Sequence, residues 1–170
     1  KYTETIVRLA DEALLHDPQL EQSLIAKALS FMTQEQYDEA VPYLQKALEY
    51  NPNSSLVIGN LSNFYSNYSP DTRKYLEYAL KGLRIDVGAQ DSVTASYAYL
   101  HVGNAFIQSG FIREAKEYTQ KSIDYDATNI YPKYVLAYVE YAADRDLEAI
   151  RDRLLDVLAI DTTRLDVMQE

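Results

Sequence analysis

His16 and His101 are the chain's two histidines, and with its 26 Asp and Glu residues they are the side chains that could carry acid–base or metal chemistry. They stand 101 − 16 = 85 residues apart. Neither sits in a frame of Asp, Glu or Cys at compact spacing, whereas zinc takes three or four such ligands close together. His16 falls where a helix should end, and a cationic ring suits the negative end of the helix dipole. The carboxylates gather in DYDATN (124–129) and DRDLEAIRDR (144–153), with arginines at nearby helical steps, the pattern of a solvated, salt-bridged surface. Cysteine is absent. That removes thiol nucleophiles, thiolate metal sites and disulfides, and leaves both reducing and oxidising compartments open. No glycine-rich phosphate loop or nucleophile elbow occurs. The expectation is a non-enzyme with no catalytic residue, no metal and no cofactor.

The elements that would position a site are helices. At 170 residues the chain is long enough for one domain, and its five glycines and five prolines are too few for many short strands. Its formal charge, 16 − 26 = −10, would repel a phosphate backbone, so nucleic acid is not expected as a direct partner. The sequence has no apolar run of about eighteen residues, and the start KYTETIVRLADEALLHDP lacks the ordered segments of a signal peptide. Membrane insertion by this piece is therefore not expected. Because it begins at Lys1, it is expected to be part of a longer protein, and localisation stays open between cytoplasm and periplasm.

A period organises the chain. DPQL (17–20) recurs as NPNS (51–54), placing Pro18 and Pro52 at 52 − 18 = 34 residues, within the range that marks repeat architectures. Weaker stops follow in RIDVG (84–88), DYDATN (124–129) and AIDTTR (159–164). Between stops lie two amphipathic segments, first LIAKALSFM (24–32) and YDEAVPYLQKALEY (37–50), separated by TQEQ. YLHVGNAFIQ (99–108) and IREAKEYTQKSIDYD (112–126) repeat the layout around Gly110, where a reversal needs positive φ. The pattern predicts nine helices, over 2–16, 21–33, 37–50, 55–67, 71–86, 92–109, 112–125, 131–143 and 146–160.

These residues resemble the tetratricopeptide repeat, a 34-residue helix-turn-helix unit with small residues at its eighth, twentieth and twenty-seventh positions. Counting from Glu21, those places hold Ala28, Ala40 and Ala47, with Leu24, Phe31, Tyr37 and Leu44 as packers and Pro52 as the stop. From Ser96 the corresponding residues are Tyr99, Val102, Gly103, Phe106, Gly110, Ala115 and Ser122, with Ala127 in place of the stop proline. From Ile130 the unit retains Leu136, Ala137 and Ala149, and its second helix reads one residue long. The unit near Ser55 keeps Ser62, Tyr65 and Gly82, but Tyr75 stands at a small position and SNYSPDT lengthens the turn. IVRLADEALLHDP fits a second helix alone, with Ala13 at the small place. The resemblance implies an all-α, right-handed α-solenoid of antiparallel helix pairs in one domain (1–170), with repeats at 21–54, 55–90, 96–129 and 130–163 after a half repeat at 1–20. Short side chains are needed because helix axes about 8–10 Å apart meet only where the crossing residues are small. Ala28 and Gly103 should mark crossings within pairs.

The resemblance also implies a concave face formed by the second, fifth, sixth, ninth, twelfth and thirteenth positions. These are Gln22, Ile25, Ala26, Leu29, Met32 and Thr33 in the first unit, and Leu56, Gly59, Asn60, Asn63, Ser66 and Asn67 in the second. The third supplies Tyr97, Leu100, His101, Asn104, Ile107 and Gln108, and the fourth Tyr131, Tyr134, Val135, Tyr138, Tyr141 and Ala142. Asparagine offers donors and an acceptor to an extended backbone, and tyrosine combines contact area with a polar tip. The candidate peptide-binding residues are Asn60, Asn63, Asn67, Tyr97, His101, Asn104, Gln108, Tyr131, Tyr134 and Tyr138. Some family members grip a terminal carboxylate with basic residues at the fifth and sixth positions, where this chain has Ile25, Leu100 and Tyr134, so that mode is disfavoured.

Two functional readings stand. In one, the concave face binds a peptide or protein segment. In the other, the array is a structural spacer or self-association module within a larger signalling or transcription-regulator protein, with homo-association through its exposed terminal helices. The ending DTTRLD resembles the sensor arrays of bacterial regulators.

Overall fold

The computed structural model describes residues 2–86 and 91–160. Among them are nine helices and no strand: α1 (Tyr2–His16), α2 (Glu21–Met32), α3 (Tyr37–Tyr50), α4 (Ser55–Asn67), α5 (Thr72–Asp86), α6 (Ser92–Gln108), α7 (Ile112–Tyr125), α8 (Ile130–Asp144) and α9 (Leu147–Ile160). The fold class is all-α, and each boundary lies within one residue of its expected place. The expected repeat ends at 90 and 163, and the DTTRLD tail, fall outside the described residues. No described helix is long and apolar enough to cross a membrane. The chain divides into two compact units, Lys1–Gly82 and Leu83–Glu170.

In the first unit the core follows the small-residue phase. Leu24 and Ala28 of α2 and Ala40, Leu44 and Ala47 of α3 are essentially solvent-free. Each leucine so buried is worth about 1.5–3 kcal/mol of transfer free energy. Aromatic rings close the layer: Phe31 stacks on Tyr43 at 5.7 Å, and Tyr37 stacks on Tyr68 at 3.8 Å. In α5, Tyr75 and Ala79 are buried, and a Cβ on Gly82 would lie 3.5 Å from Ile58. Tyr75 thus fills the place where a small residue was expected.

In the second unit Gly103 marks the α6–α7 crossing as expected. A Cβ there would lie 2.7 Å from Thr119 Oγ1 and 3.3 Å from the Thr119 nitrogen. Ser122 Oγ donates to the Ser96 carbonyl at 2.7 Å, which leaves the Ser96 hydroxyl to donate to Ser122 Oγ at 3.0 Å. Both serines are fully buried.

Second helices turn residues inward in a 4,3 rhythm: Ala40, Leu44, Ala47; Tyr75, Ala79 and the half-buried Gly82; Ala115, Thr119, Ser122. In α9 the same rhythm falls on Ile150, Leu154 and Val157, which pack with Ala137. Ile150, rather than the expected Ala149, therefore takes the crossing position. The turns explain the shift. Glu35 (φ 60°), Gly110 (φ 80°) and Arg145 (φ 63°) are the left-handed residues of the three turns, and each precedes the first crossing residue by five: 40 − 35, 115 − 110 and 150 − 145. From Ala28 and Gly103 to their left-handed residues the distance is seven (35 − 28, 110 − 103), but from Ala137 to Arg145 it is eight. The extra residue lies in α8, so the turn and α9 move together by one.

Candidate functional site

In the first unit, α4 carries Asn60, Asn63 and Asn67 on one side. Asn60 Nδ2 donates to the Leu56 carbonyl at 2.8 Å, and Asn67 Nδ2 donates to Asn63 Oδ1 at 2.7 Å and to the Asn63 carbonyl at 3.3 Å. These amides bond back along their own helix by the i−4 pattern open to short polar side chains. Asn63 and Asn67 are exposed, Asn60 is half-buried, and the space above Gly59 is open.

In the second unit, α6 sets Tyr97, His101, Asn104 and Gln108 along one stripe at steps of 4, 3 and 4, with Asn104 half-buried and the others exposed. Asn104 meets α8 at a cavity of about 240 Å³ lined by Asn104 and Ile107 of α6, Ile112 of α7, and Tyr134, Val135, Tyr138, Val139 and Ala142 of α8. Asn104 is the one amide in that lining. Of the candidate residues the structure brings Asn104, Tyr134 and Tyr138 together here. Tyr131, whose ring stacks on Tyr134 at 6.2 Å, lies exposed on the same helix. Tyr134 contacts Tyr138 at 4.9 Å, and both also pack against the core.

Two positions read as inward are core instead: Leu100 is buried in one cluster with Ala115, Val135 and Val139, and Ile25 is buried in the first unit, whereas Val135 belongs to that cluster and also lines the cavity. Their side chains lean toward the preceding turn and the neighbouring helix, as helical Cα–Cβ geometry directs. Sequence reasoning missed Ile112 and Val139 as lining residues. Val139 lies four residues beyond Val135 and so shares its helical side, a signal present in the spacing.

Charge is partitioned between the two kinds of helix. α4 and α6 contain no Asp, Glu, Lys or Arg, whereas α5 and α7 are dense in them. On α8, Glu140 is turned toward the second helices, with Oε1 2.8 Å from Lys116 of α7 and Oε2 2.6 Å from Arg153 of α9. Lys133 lines a separate cavity of about 220 Å³ with residues of α7 and α9. The acidic clusters supply helix-end devices, and Asp152 within α9 pairs with Arg151 at 2.8 Å. Asp126 accepts from the Thr128 amide and hydroxyl, which hold its carboxyl below the ordinary range, and Asp146 accepts from the amides of Glu148 and Ala149. At the start of α6 the Thr94 amide donates to Asp91 at 2.9 Å and lowers that carboxyl likewise. Among the described residues no group of three or more His, Asp or Glu could hold a metal ion.

The tetratricopeptide repeat family profile matches residues 22–54. No curated protein matches the chain. Solved structures do. YrrB, a TPR protein with an unusual peptide-binding site, aligns with a TM-score of 0.82 at 16% identity, over 99% of this chain and 82% of that one. MamA residues 41 to the end, from Desulfovibrio magneticus RS-1, align with a TM-score of 0.79 at 17% identity, over 95% and 87% of the two chains. Pseudomonas aeruginosa PilF aligns with a TM-score of 0.72 at 21% identity, over 93% and 68%. Residues 22–54 thus match one tetratricopeptide repeat, and the chain as a whole shares the helical fold of YrrB, with the same 4,3 packing rhythm in its later second helices.

Proposed function

We propose that the chain is a non-catalytic protein–protein interaction module that binds a peptide or protein segment in the groove between α6 and α8. The observation that carries this reading is the cavity of about 240 Å³ beside Asn104, an apolar hollow with one amide at its edge, as ligand sites commonly are. The fold likeness to YrrB, which has a peptide-binding site, supports it. Asn104, Tyr134 and Tyr138 make the seat, Tyr97, His101, Gln108 and Tyr131 its approaches, and Asn60, Asn63 and Asn67 a separate polar stripe on α4.

The test is an array of overlapping peptides probed with the wild-type chain and with Asn104→Ala and Ala142→Leu, each first shown to keep the wild-type helical signal and melting. Peptides retained by wild type and lost by both variants are expected. Retention unchanged in both variants, or no retention at all, refutes the seat.

The second reading, self-association, rests on the terminal helices. Ile6, Leu9 and Leu15 of α1 and Leu147, Leu155 and Ile160 of α9 are exposed, and apolar side chains left in water favour association. Sedimentation across a concentration series separates the two: a species that stays monomeric rules out the homo-associating form.

A further inference from the structure

We propose that the occupant of the α6–α8 groove is an uncharged segment with a single large apolar side chain, of leucine to phenylalanine size, that fills the cavity while its backbone meets Asn104. The inference rests on the groove reading above and adds the chemical class of the ligand. Its first support is volume. An apolar cavity of about 150 Å³ takes up benzene, so about 240 Å³ accommodates one bulky side chain. The floor, Val135 and Val139, is buried and apolar and offers such a group no polar partner.

The second support is charge. The chain carries 26 acidic and 16 basic residues, yet α6 has none of them. Those of α8 are engaged elsewhere: Glu140 pairs with Lys116 and Arg153, Lys133 lines the cavity shared with α7 and α9, and Asp144 accepts from the Asp146 amide at the helix end. None of the eight residues that line the cavity is charged, and of the α7 residues beside Ile112, Arg113 pairs with Glu114 at 3.1 Å, so a ligand carboxylate or ammonium seated there finds no countercharge in the lining. Either would lose its hydration without a countercharge, which is the costly way to bury an ion. The amide of Asn104 serves a neutral peptide backbone equally well as donor or acceptor.

The experiment selects a phage-displayed random dodecapeptide library on the immobilised chain, then measures the enriched peptides as synthetic probes by fluorescence anisotropy. Enriched sequences are expected to share one Leu, Ile, Met or Phe within a stretch free of Asp, Glu, Lys and Arg. Their Kd should change by less than about twofold between low salt and about 0.5 M salt, since no ion pair is there to be screened. Ala142→Leu, which fills the cavity, and Asn104→Asp, which puts a charge at its edge, should each raise Kd by about tenfold or more. Enriched peptides that are charged, lose affinity with salt and still respond to Ala142→Leu overturn the ligand class while leaving the groove reading intact. Enriched peptides indifferent to both variants, or no enrichment, overturn the groove itself and the ligand class with it.

Discussion

Two glycine-to-alanine substitutions, Gly103→Ala and Gly59→Ala, isolate the crossing contact on which the repeat packing depends. Both glycines lie inside helices, so each alanine gains about 1 kcal/mol of helix propensity, and that gain cancels in their difference. At Gly59 the new methyl meets nothing within 4 Å, and the variant should be about 1 kcal/mol more stable than wild type. At Gly103 the methyl would sit 2.7 Å from Thr119 Oγ1 and 3.3 Å from its backbone nitrogen. Thr119 is solvent-free and β-branched, with a restricted χ1, and its backbone nitrogen is also close, so relief falls chiefly on α7 retreating by a few tenths of an ångström. Such overpacking costs about 1–3 kcal/mol. Gly103→Ala should therefore lie about 1–3 kcal/mol below Gly59→Ala in urea unfolding followed by circular dichroism. Amide exchange resolved to α6 and α7 places the loss, since repeat arrays can unfold in parts. If the two variants prove equally stable, Gly103 is not the closest point of the α6–α7 pair and the crossing argument fails.

Three further outcomes follow from the turns, an aromatic pair and a cap. Glu35→Gly should stabilise the first unit by about 1 kcal/mol by relieving a side chain from the left-handed region, and Gly110→Ala should destabilise the second by a similar amount, both read as shifts in unfolding midpoint. The hydrogen bond with Tyr68, with burial behind it, pushes the Tyr37 phenol up to about 12, so alkaline absorbance titration should show a late-ionising tyrosine whose ionisation Tyr68→Phe moves to lower pH. Because that value is raised, the stabilisation is complete below the ordinary tyrosine range of about 10 and lost as pH rises through about 12. Asp91 runs the other way. Its lowered carboxyl stabilises α6 above the ordinary range of about 3.9 and ceases to do so as pH falls through its depressed value. The melting temperature of Asp91→Ala should thus lie below wild type at neutral pH and approach it in strong acid.

Helix boundaries were legible because they are local. Pro18, Pro52 and Gly110 end segments by their own backbone restrictions, and the 3.6-residue apolar rhythm fills the space between. The crossing at Gly103, where a Cβ would meet Thr119, was legible from the need for a small residue, and so was the burial of Ala28 and Ala47. The register of α9 was not, because Ala149 and Ile150 are both apolar and the choice between them is made by where Arg145 turns the chain, a conformation that arginine does not advertise. The cavity was half legible. Asn104 and Tyr134 follow from repeat position, but the hollow between them is the volume that Ile112 and Val139 leave unfilled, a three-dimensional remainder with no sequence signature. The asparagines of α4 share one side of their helix by spacing alone, while their bonds along the helix depend on rotamers that residue type leaves open.

The buried hydroxyl pair of Ser96 and Ser122 has a consequence for how a chain of similar units sorts its own pieces. Any first helix here could in principle lie against any second helix, since all share the 4,3 rhythm. At the place of Ser122, however, α3 has Ala47, α5 has Gly82 and α9 has Val157, and none can accept or donate through a side chain. If α6 docked against one of those helices, the Ser96 hydroxyl would be buried unpaired at a cost of about 1–3 kcal/mol. An all-alanine crossing tolerates exchange among partners; a serine facing a serine recognises one, so two small hydroxyls label α6 and α7 as belonging to each other while the chain is still choosing its contacts.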